Sequence, residues 1–151
     1  MLVEPEIPAN TGNISRLCAV TGIPLHLVRP LGFCVDDRHL KRAGLDYWDQ
    51  LDLHYHDSLD EVLALYPDYA RFFLTSHTET SYATAVFPER SLLIFGKESV
   101  GLAEDIRSRF AEDCVRIPMV AGARCLNLSN SVAIVVYEAL RQQGRLQRGY
   151  L

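Results

Sequence analysis

Three short segments of this 151-residue chain gather the polar residue types from which a catalytic or binding site can be built. The first is Asn10-Thr11-Gly12-Asn13-Ile14-Ser15-Arg16, which holds two amides, a permissive glycine and an arginine. Asn and Gly are ordinary turn residues, so taken alone this stretch reads as a turn and helix cap with a solvated arginine. The second is Gly96-Lys97-Glu98-Ser99-Val100-Gly101, directly after the apolar run Leu92-Leu93-Ile94-Phe95. Glycines at both ends let backbone approach a ligand closely. It is not a phosphate-binding loop of the Gly-x-x-x-x-Gly-Lys-[Ser/Thr] type, because Ser91 takes the first glycine position and Glu98 follows the lysine. A tight strand-to-helix turn is the plainer alternative. The third runs from Ile117-Pro118-Met119 to Cys125-Leu126-Asn127-Leu128-Ser129-Asn130-Ser131. A helix start this dense in Asn and Ser presents backbone N–H groups and polar side chains to a ligand.

Other chemistry is poorly supported. No Gly-x-Gly-x-x-Gly occurs, and no Ser-His-Asp or Cys-His set can be placed from spacing. His54-Tyr55-His56 puts two histidines on one face of a strand without an obvious third ligand, which favours an exposed strand end over a metal site. Trp48 and the tyrosines read as core or interface residues.

The elements that must hold these segments follow from the alternation of short apolar runs with longer amphipathic ones, the pattern of an α/β domain. Strands are expected at Met1–Val3, Leu25–Val28, Leu51–Tyr55, Arg71–Thr75, Leu92–Phe95 and Cys114–Ile117. Helices are expected at Ile14–Thr21, ended by Gly22, and at Asp37–Ala43, capped by Asp36 and followed by Gly44. Ser58-x-x-Glu61 is a capping box opening a helix to about Tyr66. Ala103–Phe110 and Leu128–Gln143 complete the set, the last capped by Asn127 and stopped by Gly144. In open α/β sheets, ligands collect at the carboxyl ends of strands, and each of the three segments follows an expected strand. Ser76–Ser91 reads as a long polar connection, functional or holding structure the pattern does not reveal. The run Val132-Ala133-Ile134-Val135-Val136 is apolar on nearly every face, which predicts a helix buried on two sides, one of them a subunit interface.

Bulk properties narrow the class. The length suits one domain over 1–151, and 48% hydrophobic with 23% charged residues is ordinary for a soluble globular chain. No apolar run approaches the ~20 residues that cross a bilayer, and the first residues lack a secretory pattern. Cys18, Cys34, Cys114 and Cys125 are scattered without a CxxC pair, which argues against zinc and disulfides and for a reducing cytoplasm. Net charge is −4, against a nucleic-acid binder at first sight. Arg38, Lys41 and Arg42, and again Arg141, Arg145 and Arg148, are nevertheless clustered, and a negative total permits a local positive face.

Taken together, the segments resemble the SPOUT superfamily of RNA methyltransferases, and within it the small tRNA (cytidine/uridine-34) 2′-O-methyltransferases. The resemblance runs from Glu4 to about Gly144. It is carried by Glu4-Pro5-Glu6-Ile7-Pro8-Ala9-Asn10-Thr11-Gly12-Asn13 with Arg16, and by Arg42-Ala43-Gly44-Leu45-Asp46-Tyr47. It continues in Phe95-Gly96-Lys97-Glu98-Ser99-Val100-Gly101-Leu102, Arg116-Ile117-Pro118-Met119, and Leu126-Asn127-Leu128-Ser129-Asn130 leading to Tyr137-Glu138-Ala139-Leu140-Arg141-Gln142. It implies a mainly parallel sheet flanked by helices, with a C-terminal trefoil knot. It implies S-adenosyl-L-methionine bound near Leu74, Gly96, Ile117, Cys125 and Leu126, and Asn10, Arg16, Glu98 and Asn127 around the reacting groups. It further implies tRNA as substrate, Arg124 as a contact for its backbone, a homodimer with the active site at the interface, and neither a metal nor a membrane. Two departures stand out. Cys125 takes a position that is serine in the pattern, and the stretch ahead of Glu4 is short and lacks a lysine of the pattern. Ribose methylation elsewhere in tRNA or in ribosomal RNA, and a non-catalytic RNA-binding module on the same fold, are the competing functions. The missing RNA-binding extension favours the wobble enzyme over the former, and the presence of Arg16, Glu98 and Asn127 counts against the latter.

Overall fold

A computed structural model describes residues 1–33 and 50–146. The expected helix at Asp37–Ala43, the basic residues Arg38, Lys41, Arg42 and Arg148, and Trp48 and Cys34 lie outside the described residues. Six strands form one sheet: β1 (Leu2–Val3), β2 (Leu25–Val28), β3 (Leu53–His56), β4 (Ala70–Leu74), β5 (Ser91–Phe95) and β6 (Cys114–Val115). Their order is β3-β2-β1-β5-β4-β6 and every pairing is parallel. The helices are α1 (Pro8–Thr21), α2 (Leu59–Leu65), α3 (Glu104–Arg109) and α4 (Leu128–Gln142).

Side chains alternate across a strand, so a sheet covered on both faces needs apolar residues at consecutive positions. Leu2, Leu27 and Phe95 point to one face and pack with Ile14 and Cys18 of α1 and Val132, Val135, Val136, Ala139 and Leu140 of α4. Their neighbours Val3, Val28 and Ile94 point to the other and pack with Leu59, Val62 and Leu63 of α2. Ile106 of α3 and Phe110 beyond it close that second layer. Val135 is fully buried, and Val132 and Val136 nearly so, within the chain itself. The expected two-sided burial of α4 is therefore met by α1 and the sheet. Its apolar run is core, and a second subunit is not needed to cover these valines.

Several element ends are where local chemistry put them. Gly22 ends α1 in the left-handed conformation (φ 62°), the Ser58 hydroxyl accepts from the Glu61 N–H, and the Asn127 side chain accepts from the Ser129 N–H. The main departure is α1, which starts at Pro8 instead of Ile14, so Asn10 through Arg16 are helical and not a loop. Proline suits the first helical turn, where a missing N–H costs nothing. The stretch after β4 also holds more structure than its composition suggested. Tyr82–Thr84 is a 3₁₀ turn, and the Arg116 N–H donates to Thr80 O while its carbonyl accepts from the Tyr82 N–H, both at 2.8 Å. The far end of that connection is fastened to α4: Gln142 donates to Ala85 O at 3.0 Å and accepts from the Phe87 N–H at 2.9 Å, and Phe87 is buried in the core. Among the described residues, no helix is long and apolar enough to cross a membrane.

Candidate active site

β1, β5 and β4 stand side by side in the sheet, so the segments leaving their carboxyl ends converge although they are far apart in sequence. Between these segments and the start of α4 lies a cleft of about 650 Å³. That is the size of a small-molecule or cofactor site. Leu74, Gly96, Ile117, Cys125 and Leu126 all line it, and so do Asn10, Glu98 and Asn127. Leu126 and Met119 remain 40% and 37% exposed there, apolar surface that a bound ligand would cover. Arg16 and Arg124 are exposed and are not among the cleft's residues. Arg16 lies six positions past Asn10 on α1, about 120° around the helix from it.

The loop after β5 is shaped by its two glycines. A Cβ on Gly96 would collide with the backbone of Gly101 and Leu102, and Gly101 itself sits at φ 71°. The Gly101 N–H donates to Lys97 O at 2.9 Å and closes the turn that carries Glu98. The Glu98 carboxylate then reaches back to the start of α1, accepting from the Glu6 N–H at 2.7 Å, the Ile7 N–H at 3.2 Å and Asn10 Nδ2 at 3.0 Å. An anion is favourable at a helix N-terminus, and Ile7 offers no side-chain cap, so Glu98 serves as the cap from a distant loop.

A carboxylate accepts only, which fixes the direction of everything bonded to it. Asn10 must turn its NH₂ towards Glu98, so its oxygen faces Asn127, whose Nδ2 donates to it at 2.9 Å. The remaining Asn127 oxygen accepts from the Ser129 N–H at 2.8 Å and from the Ser129 hydroxyl at 2.7 Å. The relay thus runs in one direction from α4 through Asn10 to Glu98. Asn10 is 5% exposed, so a misoriented amide there would leave a buried group unpaired. With three donors already on its oxygens, Glu98 is arranged to orient amides.

Thr75, Ser76 and His77, given no site role from sequence, line the cleft just past Leu74, together with Lys97, Ser99, Val100 and Ser131 of the two later candidate segments. Strand-end position was the one signal that could have found the first three. Lys97 Nζ meets Glu4 Oε2 at 2.8 Å, and this pairing holds the lysine above its usual range. Glu4 adopts φ 52°, a strained conformation for a residue with a Cβ. Glu6 Oε2 accepts from the Ser99 N–H at 3.0 Å, and hydrogen bonds from Ser99 hold its carboxyl below the usual range.

His54 and His56 lie elsewhere. His56 is buried, not an exposed strand end: its Nδ1 is 3.1 Å from Glu61 Oε1 and its Nε2 is 2.9 Å from Nδ1 of His26 on the adjacent strand. His54 is the more exposed one and pairs with Asp52 at 2.7 Å. Among the described residues, no group of three His, Cys, Asp or Glu has the arrangement to hold a metal.

A parallel sheet with a polar cleft at its carboxyl edge, built from asparagines and a carboxylate at a helix start, defines a small-molecule-using α/β enzyme site in class. Comparison with known proteins makes the family specific: the model of the SpoU rRNA methylase family matches residues 1–137, and this chain belongs to that family. A tRNA (cytidine(34)-2′-O)-methyltransferase of Burkholderia pseudomallei (strain 1106a) is 50% identical over 147 residues, covering 95% of this chain and 94% of that protein. A structure solved for insights into the 2-OH methylation of C/U34 on tRNA matches with TM-score 0.88 and 44% identity, covering 97% of this chain and 95% of that one. The SpoU methyltransferase AviRb from Streptomyces viridochromogenes, in complex with AdoMet, shares the fold with TM-score 0.82 and 24% identity, covering 98% of this chain and 57% of that chain.

Proposed function

We propose that this protein transfers a methyl group from S-adenosyl-L-methionine to the ribose 2′-hydroxyl of the wobble nucleotide, position 34, of a tRNA in the cytoplasm. The observation that carries the reading is the cleft in which Leu74, Gly96, Ile117, Cys125 and Leu126 stand beside the Asn10–Glu98–Asn127 relay. Proteins 50% identical to it are named for that reaction. The residues present fit the cofactor: apolar Leu74, Ile117 and Leu126 suit its adenosine part, and glycine backbone at Gly96 suits close approach. The sulfonium supplies a methyl group that is already activated.

The chain's own work is then alignment, and help with the leaving proton. Asn10 and Asn127 keep fixed polarity at the edge of the cleft. Arg16 carries a planar, multidentate cation; binding a phosphate and stabilising the developing alkoxide is the role we assign it. It is exposed and does not line its own chain's cleft, which supports a homodimer in which one protomer's Arg16 serves its partner's site. Val20 on α1 and Tyr137 on α4, 57% and 46% exposed, offer apolar surface for that contact. Exposed Arg124, beside Cys125, is assigned to the tRNA backbone. The Gln142 contacts with Ala85 and Phe87, which fasten α4 to the connection between β4 and β5, support a C-terminal trefoil knot.

The test is purified protein with labelled S-adenosylmethionine and tRNA. Label should appear on the ribose of nucleotide 34, and Arg16→Lys should remove most turnover while cofactor affinity stays nearly unchanged, since lysine cannot reproduce a planar multidentate contact. Label on a base, or in ribosomal RNA alone, overturns the substrate assignment.

A further inference from the structure

The Glu6 carboxylate has no part in the reaction as read above, yet it is one half of a reciprocal exchange with the loop after β5. Glu6 gives its backbone N–H to Glu98, and its side chain takes the backbone N–H of Ser99, the residue next to Glu98. The two contacts join segments 92 and 93 positions apart in sequence. We propose that Glu6 is a positioning residue for ribose methylation: by gripping the Ser99 N–H it fixes the turn bearing Glu98, and through Glu98 the amide orientation of Asn10 and Asn127.

Two separate anchorages in the loop carry the argument. Its ends are held by Gly96 packed on Gly101 and Leu102 and by the Gly101 N–H on Lys97 O. This pair fixes the wall offered to the cofactor. Neither contact reaches the middle of the turn, where Glu98 and Ser99 sit. There the Glu98 side chain is held by its three donors, and the backbone of the turn is fastened from outside the loop by the Glu6 carboxylate on the Ser99 N–H, supported by the Lys97–Glu4 pair. Glu6 can act as a fixed post because its own backbone is held on both sides. Its N–H is taken by Glu98, Gly32 donates to Pro5 O at 2.9 Å, and a Cβ on Gly32 would come within 2.7 Å of the Glu6 Cα. The Glu98 carboxylate must serve three donors at once, so a small swing of the turn lengthens several bonds together and frees Asn10 to rotate.

The inference rests on the methyltransferase reading, and its test separates the two. Glu6→Ala removes the acceptor, whereas Glu6→Gln keeps a carbonyl oxygen that can take the Ser99 N–H. In Glu6→Ala, turnover on tRNA should fall about ten- to hundredfold, the loss that follows a misplacement of about 1 Å. Affinity for S-adenosylmethionine by calorimetry should stay within about threefold, and Glu6→Gln should recover most of the turnover. The side-chain amide NMR signals of Asn10 and Asn127 should move in Glu6→Ala and keep their wild-type positions in Glu6→Gln. If the wild-type protein methylates no RNA, the enzyme reading falls, and the amide signals still decide the clamp. Unmoved signals in Glu6→Ala, equal impairment of the two variants, or a cofactor affinity that falls in step with turnover would each overturn the proposal.

Discussion

Two partly buried hydrogen-bonded networks among the described residues differ in whether their middle links can titrate. The first runs Asn127–Asn10–Glu98 across the carboxyl ends of the central strands and opens onto the cleft. Its middle links are amides, whose direction is set once by an acceptor-only carboxylate. The second runs Tyr66–His26–His56–Glu61 from α2 through β2 and β3 at the edge of the sheet. Glu61 also accepts, so it calls for a proton on His56 Nδ1. That leaves His56 Nε2 to accept from His26 Nδ1, and His26 Nε2 to accept from Tyr66. Both chains are directional, but the second keeps its direction only while both imidazoles are neutral. A site whose polarity must hold across physiological pH is better built from amides, and that is the material found at the cleft.

The harshest way to break the first network is Asn10→Asp. It sets a second carboxylate about where a donor now stands 3.0 Å from Glu98, at a position 5% exposed. An uncompensated buried charge costs about 3–5 kcal/mol. Turnover should fall more than about a hundredfold, and urea unfolding at neutral pH should show a clear loss of stability that lessens as acid protonates one of the pair. Unchanged stability at pH 7 would mean that the relay does not have the assigned direction.

The second network should be broken by pH alone. Burial, first, and the nearby positive groups push the His26 imidazole down from its ordinary value to about 4. Between roughly pH 6.5 and 4 the unfolded chain therefore binds a proton that the folded chain refuses, so stability falls as pH falls through that window. A shift of this size is worth roughly 3 kcal/mol at the acid end. The Glu61 carboxyl, held low by its bonds from the Asp57 N–H and His56, adds a loss in the same direction at still lower pH. In His26→Phe the slope between pH 6.5 and 4 should largely vanish in denaturant titrations. A slope equal to wild type would assign that pH dependence to another group.

The contrast also explains what could be read in the sequence. The parallel sheet followed from apolar runs at consecutive positions such as Leu2-Val3 and Ile94-Phe95, and α4 followed from Asn127 as its cap. The five positions expected around a cofactor and the relay residues came from resemblance to a family, and all of them line one cleft. What was missed depends on partners distant in the chain. Asn10-Thr11-Gly12-Asn13 has the composition of a turn, and helix α1 begins at Pro8 because Glu98, some ninety positions away, takes the N–H groups of Glu6 and Ile7. His54 and His56 looked alike in sequence. They differ because His26 of β2 hydrogen-bonds His56 but only stacks on His54, with ring centroids 4.9 Å apart, and Asp52 takes the His54 Nε2. Val132, Val135 and Val136 suggested an interface because an all-round apolar helix does not say which neighbour covers it; α1 and the sheet do.

Asn127 has two duties, and a substitution can separate them. In Asn127→Asp the carboxylate still accepts from the Ser129 N–H and keeps α4 capped, but it has nothing to donate to Asn10. Thermal stability should change little, because the lost neutral hydrogen bond is worth about 0.5–1.5 kcal/mol and a carboxylate is favourable at a helix start. Turnover should fall roughly tenfold, the equivalent of about 1.4 kcal/mol. A loss of helix stability equal to that of Asn127→Ala would show that the cap, and not the relay, was disturbed.

The smallest effect is expected at Cys125, in the same cleft but outside the relay. Its thiol is exposed, among the cleft residues, and it takes a place that serine occupies in the family pattern. If this stretch of chain holds the cofactor through its backbone, the side chain there needs only to be small. Cysteine is close to serine in size but a weaker hydrogen-bond partner. A neutral hydrogen bond contributes about 0.5–1.5 kcal/mol, which corresponds to roughly a three- to twelvefold change in affinity. Cys125→Ser should therefore change cofactor affinity by no more than that, and towards tighter binding, while Cys125→Ala stays active. Direct transfer from a sulfonium to a ribose oxygen needs no covalent methyl-enzyme, so the thiol has no bond to form. Calorimetry and single-turnover assays on the alanine variant decide the matter: normal cofactor binding with turnover abolished would put the thiol in the chemistry and rule out direct transfer.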